Sequence, residues 1–168
     1  MVMPETVGQH TFNMVHLAMI LTEGQMSVPL FQAMLSHDLG EYMTGDLPSP
    51  MKKRLPVEFK DHLVEVEAQA IEGIHPNAPM DLKPHEVNLL MLCDNLDGLL
   101  KCMDELTMGN GFALTFGNRY YDYIKEFMKD TGDLMHEDAV WEILDKYKEI
   151  RRAYEPRWLY TPTYDHCG

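Results

Sequence analysis

Apolar positions recur every three or four residues along this chain, and strict alternation is nearly absent, so the pattern predicts helices and not strands. His10, Met14, Leu17 and Leu21 fall on one face of a first helix over 8–22, which Glu23-Gly24 ends. Ser27 is placed to cap a second helix, with Pro29 in its first turn. That helix carries Leu30, Ala33, Met34, His37 and Glu41 on one side. Gly45-Asp46-Leu47-Pro48-Ser49-Pro50 then predicts a rigid, non-helical loop. A third helix over 57–73 has charged faces that imply partial exposure, and a proline-bearing turn over 75–79 follows it. The strongest helix covers 84–108 and contains VNLLMLCDNLDGLLKCMDEL; Gly109-Asn110-Gly111 stops it with residues suited to a left-handed cap. Two further helices are predicted over 113–129 and 137–153, before a tail with two prolines that reads as packed extended chain. The fold class is all-α, a compact bundle of five to seven helices forming a single domain over residues 1–168.

Composition narrows what such a bundle can do. The chain is 45% hydrophobic, enough to bury a core and exclude wholesale disorder. Fourteen Lys and Arg against 27 Asp and Glu leave a formal charge of −13. That balance excludes general binding of long nucleic acid, which depends on cations meeting phosphates, and docking on anionic membranes. A small phosphate-bearing substrate remains open if a local cation offsets the field. The start lacks a basic segment followed by an apolar one, and the apolar runs are too short to span a membrane, so a cytoplasmic location is expected. Cys93, Cys102 and Cys167 form no paired spacing and read as free thiols.

Three positions break the helical pattern. His10 lies on an apolar face, where a histidine is more often a satisfied core residue than a ligand. His37-Asp38 can both reach one ion beside their helix, and Glu41 projects near it one turn along, although this dipeptide is equally at home on a solvated face. Asp94 interrupts the apolar run of the longest helix and needs a partner there, either a cation such as Lys101 or a metal. Together they make a mixed imidazole and carboxylate set carried on helices, a donor chemistry that suits one divalent metal ion. Lys52, Lys53 and Arg54 form the one compact basic run and, with Lys101 and Arg119, are candidates for attracting phosphate or for balancing surface charge. Tyr120, Tyr121 and Tyr123 are candidates for stacking on a base or for the core.

The order His … His-Asp … Asp resembles the HD-domain phosphohydrolases, and more closely their bacterial 5′-deoxynucleotidase branch. ETVGQHTF is similar to that branch's opening metal-histidine motif, SHDLGEYMTGDLPSPMK to its HD helix and following loop, and LCDNLDGLLKCMDEL to the helix bearing the last metal aspartate. The resemblance implies that His10, His37, Asp38 and Asp94 hold one divalent metal, whether Co, Mn, Fe, Ni, Zn or Mg. It implies that Glu41 is the catalytic carboxylate acting on the attacking water, and that Asp46 supports it. Such chemistry is coherent, because a divalent cation neutralises phosphate oxygens and activates water near neutral pH, while a carboxylate accepts the proton. The family pattern has a further helix and an Arg-Trp segment before the first histidine; nine residues precede His10, so that first helix is expected to be missing. Trp141 and Trp158 lie too far along the chain to match it.

The activity implied is hydrolysis of (deoxy)nucleoside 5′-monophosphates to nucleoside and phosphate. The alternative is a deoxynucleoside triphosphate triphosphohydrolase releasing triphosphate, and a third reading is an inactive binding or assembly module. The partners implied are a small nucleotide and, as is common in the family, further copies of the same chain in a homodimer or higher homo-oligomer.

Overall fold

Capping side chains set where the helices begin. A computed structural model describes residues 6–45, 47, 49–74, 82–130 and 136–154. Thr6 caps α1 (Val7–Leu21): its hydroxyl accepts from the Gln9 N–H, and the Gln9 side chain accepts from the Thr6 N–H. Ser27 caps α2 (Val28–Ser36) by accepting from the Leu30 N–H. The remaining helices are α3 (Glu41–Thr44), α4 (Ser49–Arg54), α5 (Val57–Ile74), α6 (Pro84–Thr107), α7 (Ala113–Asp130) and α8 (Glu137–Arg152). Six helices have nine residues or more and two are short; the described residues contain no strand. The all-α expectation therefore holds, and α1, α5, α6, α7 and α8 begin and end within two residues of the predicted bounds. Gly109 takes φ +92° after α6, as the left-handed cap requires. The turn over 75–79 and the tail lie outside the described residues.

Two expectations change. The second predicted helix does not run on through Glu41: α2 stops at Ser36, residues 37–40 form a turn, and α3 begins at Glu41. The cause is local. The His37 ring hydrogen-bonds the Met34 carbonyl through Nδ1 at 3.0 Å, the carbonyl a continuing helix would offer to the Asp38 N–H. The chain then tightens into bonds spanning three residues, from Leu39 N–H to Ser36 O and from Glu41 N–H to Asp38 O. The second change is in the predicted loop over 45–50, which is helical from Ser49. Pro50 is in the first turn of α4, where its missing N–H costs no helical bond.

α6 is the hub of the core. Leu89, Leu92, Cys93, Leu96, Leu99, Cys102, Met103 and Leu106 are buried along it, a stripe wide enough to meet several neighbours. Met14, Ala18 and Leu21 of α1, Leu30 and Met34 of α2, Ile124 and Met128 of α7, and Val140, Leu144 and Tyr147 of α8 close around it. α5 buries no residue and packs chiefly on α3. One carboxylate ties the start of α2 to the start of α6: buried Glu86 accepts from the Ser27 hydroxyl at 2.5 Å and from the Lys83 N–H at 2.8 Å.

Those two bonds hold the Glu86 pKa below its ordinary value, the Ser27 hydroxyl contributing most. A lowered carboxylate pKa adds stability above the unfolded value and loses it as pH falls through the folded one. Ser27→Ala is therefore expected to cost about 1–2 kcal/mol at neutral pH, with a deficit that narrows under acid conditions. Urea denaturation at pH 7 and about pH 3 checks this; a constant deficit would contradict it.

Candidate functional site

α1, the turn after α2, and α6 converge at His10. α1 packs on α6 and buries Met14 and Ala18 in the core, so His10, one turn before Met14, is carried to the flank of α6 that bears Asp94 and Asp97. The His10 ring has two differently populated sides. On the Nε2 side lie Asp94 Oδ1 at 3.3 Å and Asp38 Oδ2 at 3.5 Å. On the Nδ1 side lies Asp97 Oδ2 at 2.6 Å. His37 packs beside His10, ring centroids 5.4 Å apart, and its Nε2 is 3.2 Å from Asp38 Oδ1. The structure thus brings His10, His37, Asp38 and Asp94 together from three elements.

The donor set fits a divalent cation. His10, His37 and Asp94 each offer one ligand atom, all within 4.8 Å of one another. Ligands about 2.1 Å from one ion are at most about 4.2 Å apart, so the set closes with a sub-ångström contraction. His37 supplies a second sign. Its Nδ1 is engaged with Met34 O, while its Nε2 is buried without a hydrogen-bond partner, its neighbouring carboxylate standing at poor geometry. A buried polar nitrogen left in that state costs free energy that a cation between it and the carboxylates would remove.

The sequence reading of Asp94 is corrected in one respect. Its side chain is 49% exposed, and its partner is His10, not Lys101. The deeply buried acid on this stretch is Asp97, at 4%, which sequence reasoning passed over. Its spacing of three from Asp94 places both on one flank of α6, and that was the available signal.

Beside this cluster Glu41 meets Lys52 of α4, with Oε1 2.7 Å from Nζ. Lys52 also lies 3.9 Å from Glu67 of α5, which accepts from the Thr44 hydroxyl at 3.1 Å. The approach of α5 to the turn depends on Gly40, because a Cβ there would stand 2.6 Å from the Glu67 Cβ and 2.9 Å from its Cα. Asp46 and the Lys53 side chain lie outside the described residues. Lys101 stands two turns beyond Asp94 on α6, about 10 Å along its axis and apart from the cluster. Tyr121 is buried against Tyr147, the core alternative among the three tyrosines. An apolar groove of about 700 Å³ between α1, α6 and α8 is lined by Leu17, Ile20, Leu96, Leu100 and Ile143 among others, and by none of the cluster side chains.

Hydrogen bonds with Asp94 and Asp97, aided by the charges of Asp97 and Asp38, raise the His10 pKa to about 10 against the opposing effect of burial. A histidine pKa raised by folding stabilises fully below its unfolded value of 6.5, and the contribution is lost as pH rises through about 10. The metal-free chain should therefore lose thermal stability from neutral pH to pH 10 more steeply than its His10→Asn variant. Scanning calorimetry in excess chelator measures both slopes, and equal slopes would rule the linkage out.

Comparison with known proteins gives the family of the chain. The YfbR-like family profile, described as 5′-deoxynucleotidase YfbR-like, matches residues 1–135. A 5′-deoxynucleotidase of Photorhabdus temperata is 30% identical over 86 residues, covering 44% of each chain. One of Vibrio vulnificus (strain YJ016) is 33% identical over 92 residues, 46% of this chain and 47% of its own. The 5′-deoxynucleotidase YfbR of Salmonella typhi is 26% identical over 132 residues, 63% of each. The chain thus spans about half the length of the first of these curated relatives. No solved structure matches. With 135 of its 168 residues inside the family profile, the chain belongs to the YfbR-like 5′-deoxynucleotidase family.

Proposed function

We propose that this chain hydrolyses nucleoside 5′-monophosphates, deoxynucleotides foremost, to nucleoside and inorganic phosphate. The observation that carries the reading is the convergence of His10, His37, Asp38 and Asp94 beside the Glu41–Lys52 pair, in a chain of this family. The first four would hold one divalent metal, which when bound offsets phosphate charge and raises the reactivity of water. Co, Mn, Fe, Ni, Zn and Mg are the candidates.

The roles of the chain's own groups follow from their placement. Three carboxylates surround one imidazole, giving a site of net negative charge that favours a doubly positive ion. Glu41, with Oε1 engaged by Lys52, takes the proton from the attacking water. The water oxygen bonds to phosphorus, the bond from phosphorus to the 5′ oxygen breaks, and that oxygen takes a proton from solvent to leave as the nucleoside hydroxyl, while Glu41 returns its proton to solvent. Lys52 and Lys53 would draw the phosphate toward α4, Lys101 would lie at the far end of the substrate, and Asp46 would support Glu41. The surplus of acidic residues discourages long nucleic acid, while the small nucleotide meets its cation locally. None of the described helices is long and apolar enough to cross a membrane. A cytoplasmic homodimer or higher homo-oligomer of single-domain chains completes the proposal.

Glu41→Ala should lower turnover by about 10²-fold or more while metal content persists, and Asp94→Asn should lose stoichiometric metal. Deoxy- and ribonucleotide mono- and triphosphates, assayed with each metal and read separately for phosphate and triphosphate, test the reaction. Release of triphosphate from the nucleoside triphosphates, with no phosphate released from the monophosphates, would overturn the assignment in favour of a triphosphohydrolase; absence of any turnover with metal bound would favour a binding module.

A further inference from the structure

We infer that Asp97 is a positioning residue, which fixes the His10 ring so that Nε2 alone faces the metal position. The inference rests on the metal reading above and assigns a role to a side chain outside its ligand set. Three observations carry it. The Asp97 carboxylate meets Nδ1 of His10 at 2.6 Å, a charge-assisted distance. Its side chain is 4% exposed, so this contact is held away from competing water. Asp38 and Asp94 stand on the opposite, Nε2 side of the ring.

The division of the ring excludes Asp97 as a fifth ligand of the same ion and gives it a different task. A neutral imidazole carries one proton, and either nitrogen can hold it. An ionised carboxylate only accepts, so Asp97 pairs with the form protonated at Nδ1. That form presents the Nε2 lone pair toward Asp38, Asp94 and His37. The carboxylate also makes the ring a stronger donor and prevents it from turning. The site is thereby supported from inside the core: Asp94 lies at the rim of α6, and Asp97, one turn deeper into the same helix, anchors the histidine that Asp94 faces.

Asparagine in place of Asp97 keeps the volume but can donate as well as accept. Its amide can pair with a bare Nδ1, which stabilises the form protonated at Nε2 and closes that nitrogen to a cation. Asp97→Asn should therefore weaken Zn and Mn binding by about 10- to 100-fold, measured by chelator competition on the full chain. Nitrogen NMR of the Zn-loaded protein should show the His10 Nδ1–H resonance of the parent shifted or lost in the variant. Leu106→Ala, which opens the core at the other end of α6, serves as the control for destabilisation alone. It should lower the melting temperature and leave metal affinity unchanged. If Asp97→Asn does not fold, Asp97→Glu, which keeps the acceptor-only group, is measured in the same way and should retain a larger share of affinity than Asp97→Ala. A loss below tenfold in Asp97→Asn, an equal loss in Leu106→Ala, or no advantage of Asp97→Glu over Asp97→Ala would overturn the positioning role. A parent protein that binds no stoichiometric metal would instead overturn the metal reading itself.

Discussion

Three carboxylates crowd one histidine, and much of this structure follows from keeping them there. Like charges at such distances repel, so the helices that carry them must be held together by something stronger. The apolar stripe of α6 supplies it: Leu92, Leu96 and Leu99 are fully buried in the core that Met14, Ala18 and Leu21 of α1 also enter, and α1 packs on α6. The hydrophobic core and the acidic centre are thus two sides of one helix. What the core holds in place, a positive ion, or a proton on His10, relieves.

The fold was largely legible in the sequence because its signals are local. Helical periodicity, the Ser27 cap, Pro84 at the start of the longest helix and Gly109 after its end each act within one or two turns. The break after Ser36 was not legible, because it depends on the His37 side chain bonding its own helix at Met34, a choice that residue pattern does not reveal. The candidate site was readable where a polar residue stood out against apolar neighbours, as His10 and Asp94 do. Asp97 did not stand out in the sequence because its burial belongs to the packed fold, in which α1 brings His10 to its carboxylate. Likewise the Lys52–Glu41 contact joins two short helices whose relative placement no spacing rule specifies.

The turn over 37–40 illustrates how local conflict can serve a site. In an unbroken helix His37 and Glu41 would simply be stacked one turn apart. Tightening the chain between them lets His37 commit one nitrogen to the backbone and keep the other for the cluster, while Glu41 starts a new helix that meets α4. The bond at the end of α2 is also the one that orients the His37 ring within the proposed site. Structure and chemistry therefore share one interaction there, and neither can be altered separately.

α5 has the opposite character to α6. It contributes Glu67 to the surroundings of Lys52 but sinks no side chain into the core. Its described contacts with the turn and α3 centre on Glu67, which meets Gly40 and Thr44. One wall of the proposed site is thus built on a long helix that buries no residue, the kind of attachment at which local opening costs less than global unfolding. The two sides of the proposed site therefore rest on unlike supports, the acidic centre on the buried stripe of α6 and the Lys52 side on a helix held at its surface.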